Sequence, residues 1–450
     1  MPYDIIIGRN ESDRKKFGKK GMVFIGKSYV KMGRTTSLAN PVYLDVVRSH
    51  VILVCGKRGS GKSYTLGVIS EGIIDLPPEI KKNISIIIFD TMGIYWTMKY
   101  PNEKDAELLE QWGLKGKGLD IKIFTPYEYY ERYKKEGLPT DYPFSIKPNE
   151  LTAEDWALSF GLTLNDPVGI LIEKILGEFD EKGVKEYSID DMIKAVREDK
   201  ETDTNTKNAT INHLMAAKRW GLFREKGTEI EDLCIGGKVS VLDISCYTTS
   251  EGGWGVKNLV IGLVAKKLFR ERMVARKMEE LEAIKVGYSY FKTEEEAEIK
   301  ERKPLVWLIL DEAHEALPEK GKTPATDALV TILREGRQPG VSLILCTQQP
   351  GKIHTDVMTQ SDIVISHRIT ARPDVDALNQ MTQSYMASTL TQQMDALPRE
   401  KGAAIVLDDN SERLYPMRIR PRFTWHGGEA PTAIRVERRI EFELEKKETS

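Results

Sequence analysis

Gly56-Lys57-Arg58-Gly59-Ser60-Gly61-Lys62-Ser63 has the spacing G-x-x-x-x-G-K-[ST]. Glycines at these positions let successive backbone N–H groups turn inward around an anion, and the helix that follows adds the positive end of its dipole. In such a loop the lysine, here Lys62, reaches the β- and γ-phosphates, and the hydroxyl, here Ser63, holds Mg²⁺. The binding set expected for ATP is Gly56, Arg58, Gly59, Ser60, Gly61, Lys62, Ser63 and Tyr64. Lys57 and Arg58 either add charge beside the phosphates or are simply solvated.

A second group begins where the apolar run Leu305–Leu310 meets Asp311-Glu312-Ala313-His314. A carboxylate ending a buried strand beside the strand of the phosphate loop can hold the Mg²⁺, the role expected of Asp311. The next carboxylate, Glu312, can polarise an attacking water. The Asp-Glu-Ala-His string also occurs in superfamily-2 helicases, but about 100 residues after the phosphate loop, against about 250 here, so that likeness is read as accidental. After the run Val341–Cys346, Gln348 is placed to sense the γ-phosphate, unless it only turns the chain. Arg334 and Arg337 close a helix expected from about residue 325. Each can stabilise charge on a phosphoryl group across a subunit interface, or simply complement the helix C-terminus.

These groups need a scaffold that presents several chain segments at one edge. Val51–Cys55, Ile84–Phe89, Ile121–Phe124, Val239–Leu242, Leu305–Leu310, Val341–Cys346, Ile363–Ser366 and Ala403–Leu407 are short continuous apolar runs, most of them separated by helical segments. A parallel sheet covered on both faces requires that pattern. The expected fold is α/β: a RecA-like P-loop NTPase core of the ASCE type, with a helical insertion and a small β-rich N-terminal element. The division expected is 1–45 for that element, 46–125 and 235–415 for the core, 126–234 for the insertion and 416–450 for a C-terminal segment. In the insertion, Glu154–Phe160, Val168–Phe179 and Ile189–Val196 read as helices. Apolar residues at i, i+3, i+4 spacing predict one long helix over 255–282, with its basic residues on a solvated face. Residues 293–303 are a mixed-charge surface segment.

The 66 basic and 68 acidic residues among 450 leave a formal charge of −2, so any polyanion must be held by a local patch. With 40% hydrophobic residues, 7 Trp, 17 Tyr and 12 Phe, the composition excludes a disordered chain. Cys55, Cys234, Cys246 and Cys346 form no metal-ligand spacing and read as reduced thiols, hence a cytoplasmic location. No signal peptide and no membrane span is expected.

Taken together, Gly56–Ser63, Ile86-Ile-Ile-Phe-Asp-Thr-Met-Gly93, Asp311–His314, Arg334-Glu-Gly-Arg337, Thr347-Gln348 and Arg420-Pro-Arg-Phe-Thr-Trp-His-Gly-Gly428 resemble the HerA branch of the FtsK–HerA translocase superfamily. The resemblance runs from residue 51 to 428 and leaves out the insertion. It implies a homo-hexameric ring that moves duplex DNA with ATP and Mg²⁺, partnered by a NurA-like nuclease or a defence effector, without a membrane. It implies nucleotide binding by Gly56–Ser63, metal binding by Asp311, water activation by Glu312, a sensor at Gln348 and a trans-acting finger at Arg337. About 50 residues precede the loop where family members usually carry a larger β-barrel, which marks the N-terminal element as a reduced barrel or as a branch with another partner. Two other classes remain open: an ATP-gated scaffold ring that activates an effector without processive movement, and a transport ATPase with a membrane partner. A small-molecule kinase would leave Glu312 and Arg337 without a purpose.

Overall fold

Continuous Val/Ile/Leu runs can bury both faces of a strand, and the chain uses them that way. The computed structural model describes residues 3–32, 35–249, 252–289, 302–381 and 384–429. Its strands are β1 (Ile5–Ile7), β2 (Met22–Met32), β3 (Thr35–Asp45), β4 (Val51–Cys55), β5 (Ile84–Asp90), β6 (Ile121–Pro126), β7 (Tyr142–Phe144), β8 (Val239–Asp243), β9 (Leu305–Leu310), β10 (Val341–Thr347), β11 (Ile363–His367), β12 (Ala403–Asp408) and β13 (Arg413–Ile419). They form one sheet in the order β1-β3-β2-β13-β12-β11-β4-β10-β9-β5-β8-β6-β7. The stretch from β11 to β7 is parallel. β12, β13 and β2 extend it by antiparallel pairing, so the N-terminal strands share the sheet with the core.

Alternate side chains serve opposite faces. In β4, Leu53 and Cys55 enter one core while Ile52 and Val54 enter the other. The first core lies under the long helix Gly253–Ser289 and the helices between β6 and β8. The second packs under the helix Lys62–Ile74. That segment between β6 and β8 contributes helices Tyr127–Glu136, Ala153–Ser159, Pro167–Glu181, Ile189–Glu198 and Thr204–Lys218. Reciprocal capping boxes at Thr152/Asp155 and Ser188/Asp191 start two of them. The buried Trp156 stacks on Phe223 with centroids 5.2 Å apart.

Every apolar run named from sequence is a strand. The long helix extends beyond its expected ends, from Gly253 to Ser289. Most of the mixed-charge segment 293–303 lies outside the described residues, as does 430–450 of the C-terminal segment. All four cysteines are free thiols, and burial pushes that of Cys55 up to about 12. Among the described residues no helix is long and apolar enough to cross a membrane.

Candidate nucleotide-hydrolysis site

In a parallel sheet the loops that follow the strands gather at the carboxyl edge, and this chain places its chemistry there. β4 runs into the phosphate loop, and Gly56, Gly59 and Gly61 all have positive φ, at 154°, 73° and 112°. At Gly61, φ of 112° lies where a β-carbon is strained, so the sharp turn into the helix Lys62–Ile74 needs glycine. The N–H groups of Lys62, Ser63 and Tyr64 open that helix with no earlier carbonyl to meet them, which suits an anion. Lys62 is buried to 5% exposure, and its Nζ lies 3.3 Å from the Lys57 carbonyl. The Ser60 hydroxyl is buried without a hydrogen-bond partner among the described residues.

The expectation that the Asp311 strand lies directly beside the phosphate-loop strand is corrected by the sheet order. β10 sits between β4 and β9, registering Cys346 against Val54 and Leu345 against Leu310. The sequence cannot disclose this order, because β10 follows β9 in the chain. Asp311 nonetheless reaches the loop: the Ser63 hydroxyl donates to its Oδ2 at 2.6 Å. A hydroxyl and a carboxylate converging there are the donor set that Mg²⁺ takes beside a phosphate, so the residues fit that ion. The buried Tyr95 hydroxyl also donates to Oδ2, at 3.3 Å. Tyr95 is itself held by its backbone N–H, which donates to Asp90 Oδ2 at 2.8 Å.

Glu312 sits in the left-handed region at φ 52°, an uncommon and strained setting for a non-glycine residue. That turn aims the side chain back into the site. Gln348 Nε2 donates to its Oε1, and His314 Nδ1 lies 3.6 Å from its Oε2 and 3.2 Å from the Thr347 hydroxyl. Burial, with Asp311 beside it, holds the Glu312 carboxyl above the usual range, against the lowering effect of Gln348 and His314. A raised carboxyl is a better proton acceptor for water than an ordinary one. His314, set aside in the sequence reading with the helicase likeness, therefore belongs to this cluster. Further along the same edge, burial raises the carboxyls of both Asp90 and Asp243, and the neighbouring Asp243 charge raises Asp90 further.

The remaining sequence-named residues fall in three places. Arg58 is exposed on the loop. Tyr64 turns its ring away from the loop; its hydroxyl accepts from the Arg422 N–H at 2.6 Å, and its ring meets His426 edge-on at 5.2 Å. Only its backbone N–H remains for phosphate. Arg337 is exposed in the turn before β10, at the amino edge of the sheet. The seven-residue β10 separates it from the carboxyl-edge site of its own chain by roughly 20 Å. Among the described residues it makes no hydrogen bond or ion pair, whereas Arg334 Nε binds Asp356 Oδ2 at 2.6 Å.

Sequence reasoning missed the supports behind the loop. Glu71, fully buried in the loop helix, accepts from Arg420, Arg422, the Thr424 hydroxyl and the N–H groups of Phe423 and Thr424. Its partners stand in the Arg420–Gly428 string already singled out, but nothing local links that string to Glu71. His367, at the end of β11, packs against the loop itself.

A sequence model described as the central domain of the helicase HerA matches residues 30–263, slightly more than half the chain. The chain belongs to the HerA central-domain family. The matched span includes the phosphate loop and stops short of Asp311. Among relatives of this HerA-type chain, the DNA double-strand break repair helicase HerA of Pyrococcus furiosus is 27% identical over 177 residues, 38% of this chain and 31% of that protein. A probable helicase of Methanocaldococcus jannaschii, MJ1565, is 34% identical over 103 residues, 23% of this chain and 19% of that protein. The chain thus matches less than a third of either relative's length. The solved structure of VirB4 from Thermoanaerobacter pseudethanolicus superposes with a TM-score of 0.52 at 13% identity, covering 89% of this chain and 96% of that one. That likeness is one of fold, and it agrees with the RecA-like core expected from the strand pattern.

Proposed function

We propose that the chain is an ATP-hydrolysing motor of the HerA type that assembles as a homo-hexameric ring and moves duplex DNA in the cytoplasm, with a nuclease of the NurA kind or a defence effector as partner. The observation that carries this reading is the split between the two edges of the sheet. Lys62, Ser63, Asp311, Glu312 and Gln348 gather at one edge, while Arg337 stands at the other with no partner among the described residues. A finger about 20 Å from its own site can act only on a neighbour's nucleotide, which calls for a ring or filament of copies.

Lys62 and the loop N–H groups bind the phosphates. Ser63 and Asp311 would hold Mg²⁺, which would supply positive charge beside the phosphoryl oxygens. Glu312 takes the proton of the attacking water, and Gln348 fixes the carboxylate that does so. Arg337 of an adjacent copy contributes charge from outside. Near-neutral net charge is compatible with DNA in the ring, because a six-fold axis concentrates a modest patch from each copy.

The decisive experiment follows ATP hydrolysis across a titration of duplex DNA, alongside native mass spectrometry. The expected result is a ring whose hydrolysis rises with DNA and is abolished by Lys62→Ala or Glu312→Gln. Hydrolysis indifferent to DNA refutes the motor in favour of an ATP-gated scaffold, and a stable monomer refutes the ring.

A further inference from the structure

The phosphate loop has a floor, and one histidine supplies much of it. His367 is fully buried at the end of β11, the strand beside β4. Its Nδ1 lies 3.2 Å from the Ala403 carbonyl and must donate there, which leaves Nε2 to accept from the Thr65 hydroxyl 2.8 Å away. With its one proton on Nε2, that hydroxyl has none for the Gly61 carbonyl 3.1 Å away, which accepts instead from the Thr65 N–H at 2.9 Å, so Thr65 ties the histidine to the residue that turns the loop into its helix. A β-carbon on Gly56 would fall 2.6 Å from His367 Cβ, and one on Gly61 would fall 3.4 Å from Cε1, so the side chain packs against both glycines. The main chain repeats the link, with the Lys57 N–H donating to the Arg368 carbonyl at 3.1 Å.

We propose that His367 is a positioning residue for the phosphate loop: it fixes the Thr65 hydroxyl and the Gly61 turn, and so sets where Lys62 and Ser63 meet the nucleotide. The proposal rests on reading the loop as an ATP site. It gives β12 a hold on that site, because Ala403 anchors the ring from the β12 side and the neighbouring Gly402 lies within 4 Å of the position a Gly61 Cβ would take. Burial, reinforced by Lys62 and opposed by the Ala403 carbonyl, pushes the imidazole down to about 4. The ring is therefore neutral at physiological pH and Nε2 stays an acceptor.

The test measures ATP affinity by calorimetry with Mg²⁺ present, steady-state hydrolysis and melting temperature for His367→Asn, Thr65→Val, Thr65→Ser and the double variant His367→Asn/Thr65→Val. Asparagine keeps the donor facing Ala403 and loses the acceptor facing Thr65, whereas serine keeps the hydroxyl. One buried hydrogen bond predicts about tenfold weaker ATP binding in His367→Asn and in Thr65→Val, with KM raised in step and kcat within about twofold. The double variant should be no weaker than the worse single, and Thr65→Ser should match the parent. Folded variants that bind ATP as the parent does overturn the proposal, as does a Thr65→Ser that fails like Thr65→Val. If His367→Asn does not fold, the two Thr65 variants decide. A parent chain that binds no ATP refutes the nucleotide reading itself, a result distinct from parental binding left unchanged by the variants.

Discussion

Substituting Glu71→Gln should destabilise the chain more than any change on its surface. The carboxylate is fully buried and receives five donors. Oε2 takes Arg420 NH1 at 3.0 Å and the Phe423 N–H at 3.1 Å; Oε1 takes Arg422 Nε at 2.9 Å, the Thr424 N–H at 3.2 Å and the Thr424 hydroxyl. Glutamine removes the negative charge facing two buried guanidinium groups and turns an NH₂ toward donors. Removing one partner of a buried ion pair costs about 3–5 kcal/mol, because the charge left behind is uncompensated. An unfolding entropy of about 2.1 cal/mol/K per residue gives roughly 0.9 kcal/mol/K for a cooperative unit of this size, so the melting temperature should fall by about 3–5 °C. Scanning calorimetry of the Glu71→Gln chain reads this directly. Replacing all three charges together, Glu71→Met with Arg420→Met and Arg422→Met, strands no buried charge but leaves the Phe423 and Thr424 N–H groups and the Thr424 hydroxyl without their acceptor, so it should recover part of the loss. A fall below about 1 °C for Glu71→Gln, or a triple variant worse than the single, would refute the account of the network as a charge-dependent clamp.

Tyr95→Phe removes the hydroxyl that orients Asp311 and should raise the Mg²⁺ concentration needed for half-maximal hydrolysis by about tenfold, with little effect on melting; an unchanged requirement would remove Tyr95 from the site. At the amino edge, burial depresses the His50 imidazole, but its 2.6 Å hydrogen bond to Asp362 and the Asp45 carboxylate 3.9 Å away, itself bound by Arg9, outweigh burial and hold it up at about 9. The folded value exceeds the ordinary 6.5, so the stabilisation, roughly 3 kcal/mol, is complete below pH 6.5, declines above it and is gone beyond about pH 9. Urea unfolding across that range should show the decline, and a His50→Asn chain with the same pH profile as the parent would contradict it. In mixed rings, Arg337→Ala copies combined with Lys62→Ala copies should regain part of the hydrolysis that neither supports alone; no recovery would mean that Arg337 does not serve a neighbour.

What could be read from the sequence was what is local. β4 and β9 are apolar along their whole length and β5 and β10 along most of theirs, because both faces are buried, and the loop and the Asp311-Glu312 pair carry their chemistry in adjacent residues. β3 and β13 do not read as strands because each is interrupted by a proline, Pro41 or Pro416, and is specified by its neighbours in the sheet. Tyr95, His367 and Glu71 were invisible for a related reason. Their partners lie 216, 302 and about 350 residues away in sequence, and no spacing rule connects a tyrosine after β5 to an aspartate after β9. The order β4-β10-β9 has the same origin, because strand neighbours in a parallel sheet are set by crossovers rather than by succession.

The Glu71 clamp also orders events in time. The loop helix leaves the ribosome early, with a carboxylate that must wait for arginines encoded 349 and 351 residues later. At about 5–20 residues per second that interval is roughly 20–70 s, during which the helix cannot bury Glu71 without stranding its charge. A chain truncated before Arg420 carries Glu71 without either guanidinium partner, so limited proteolysis should cut its loop helix where the full chain resists.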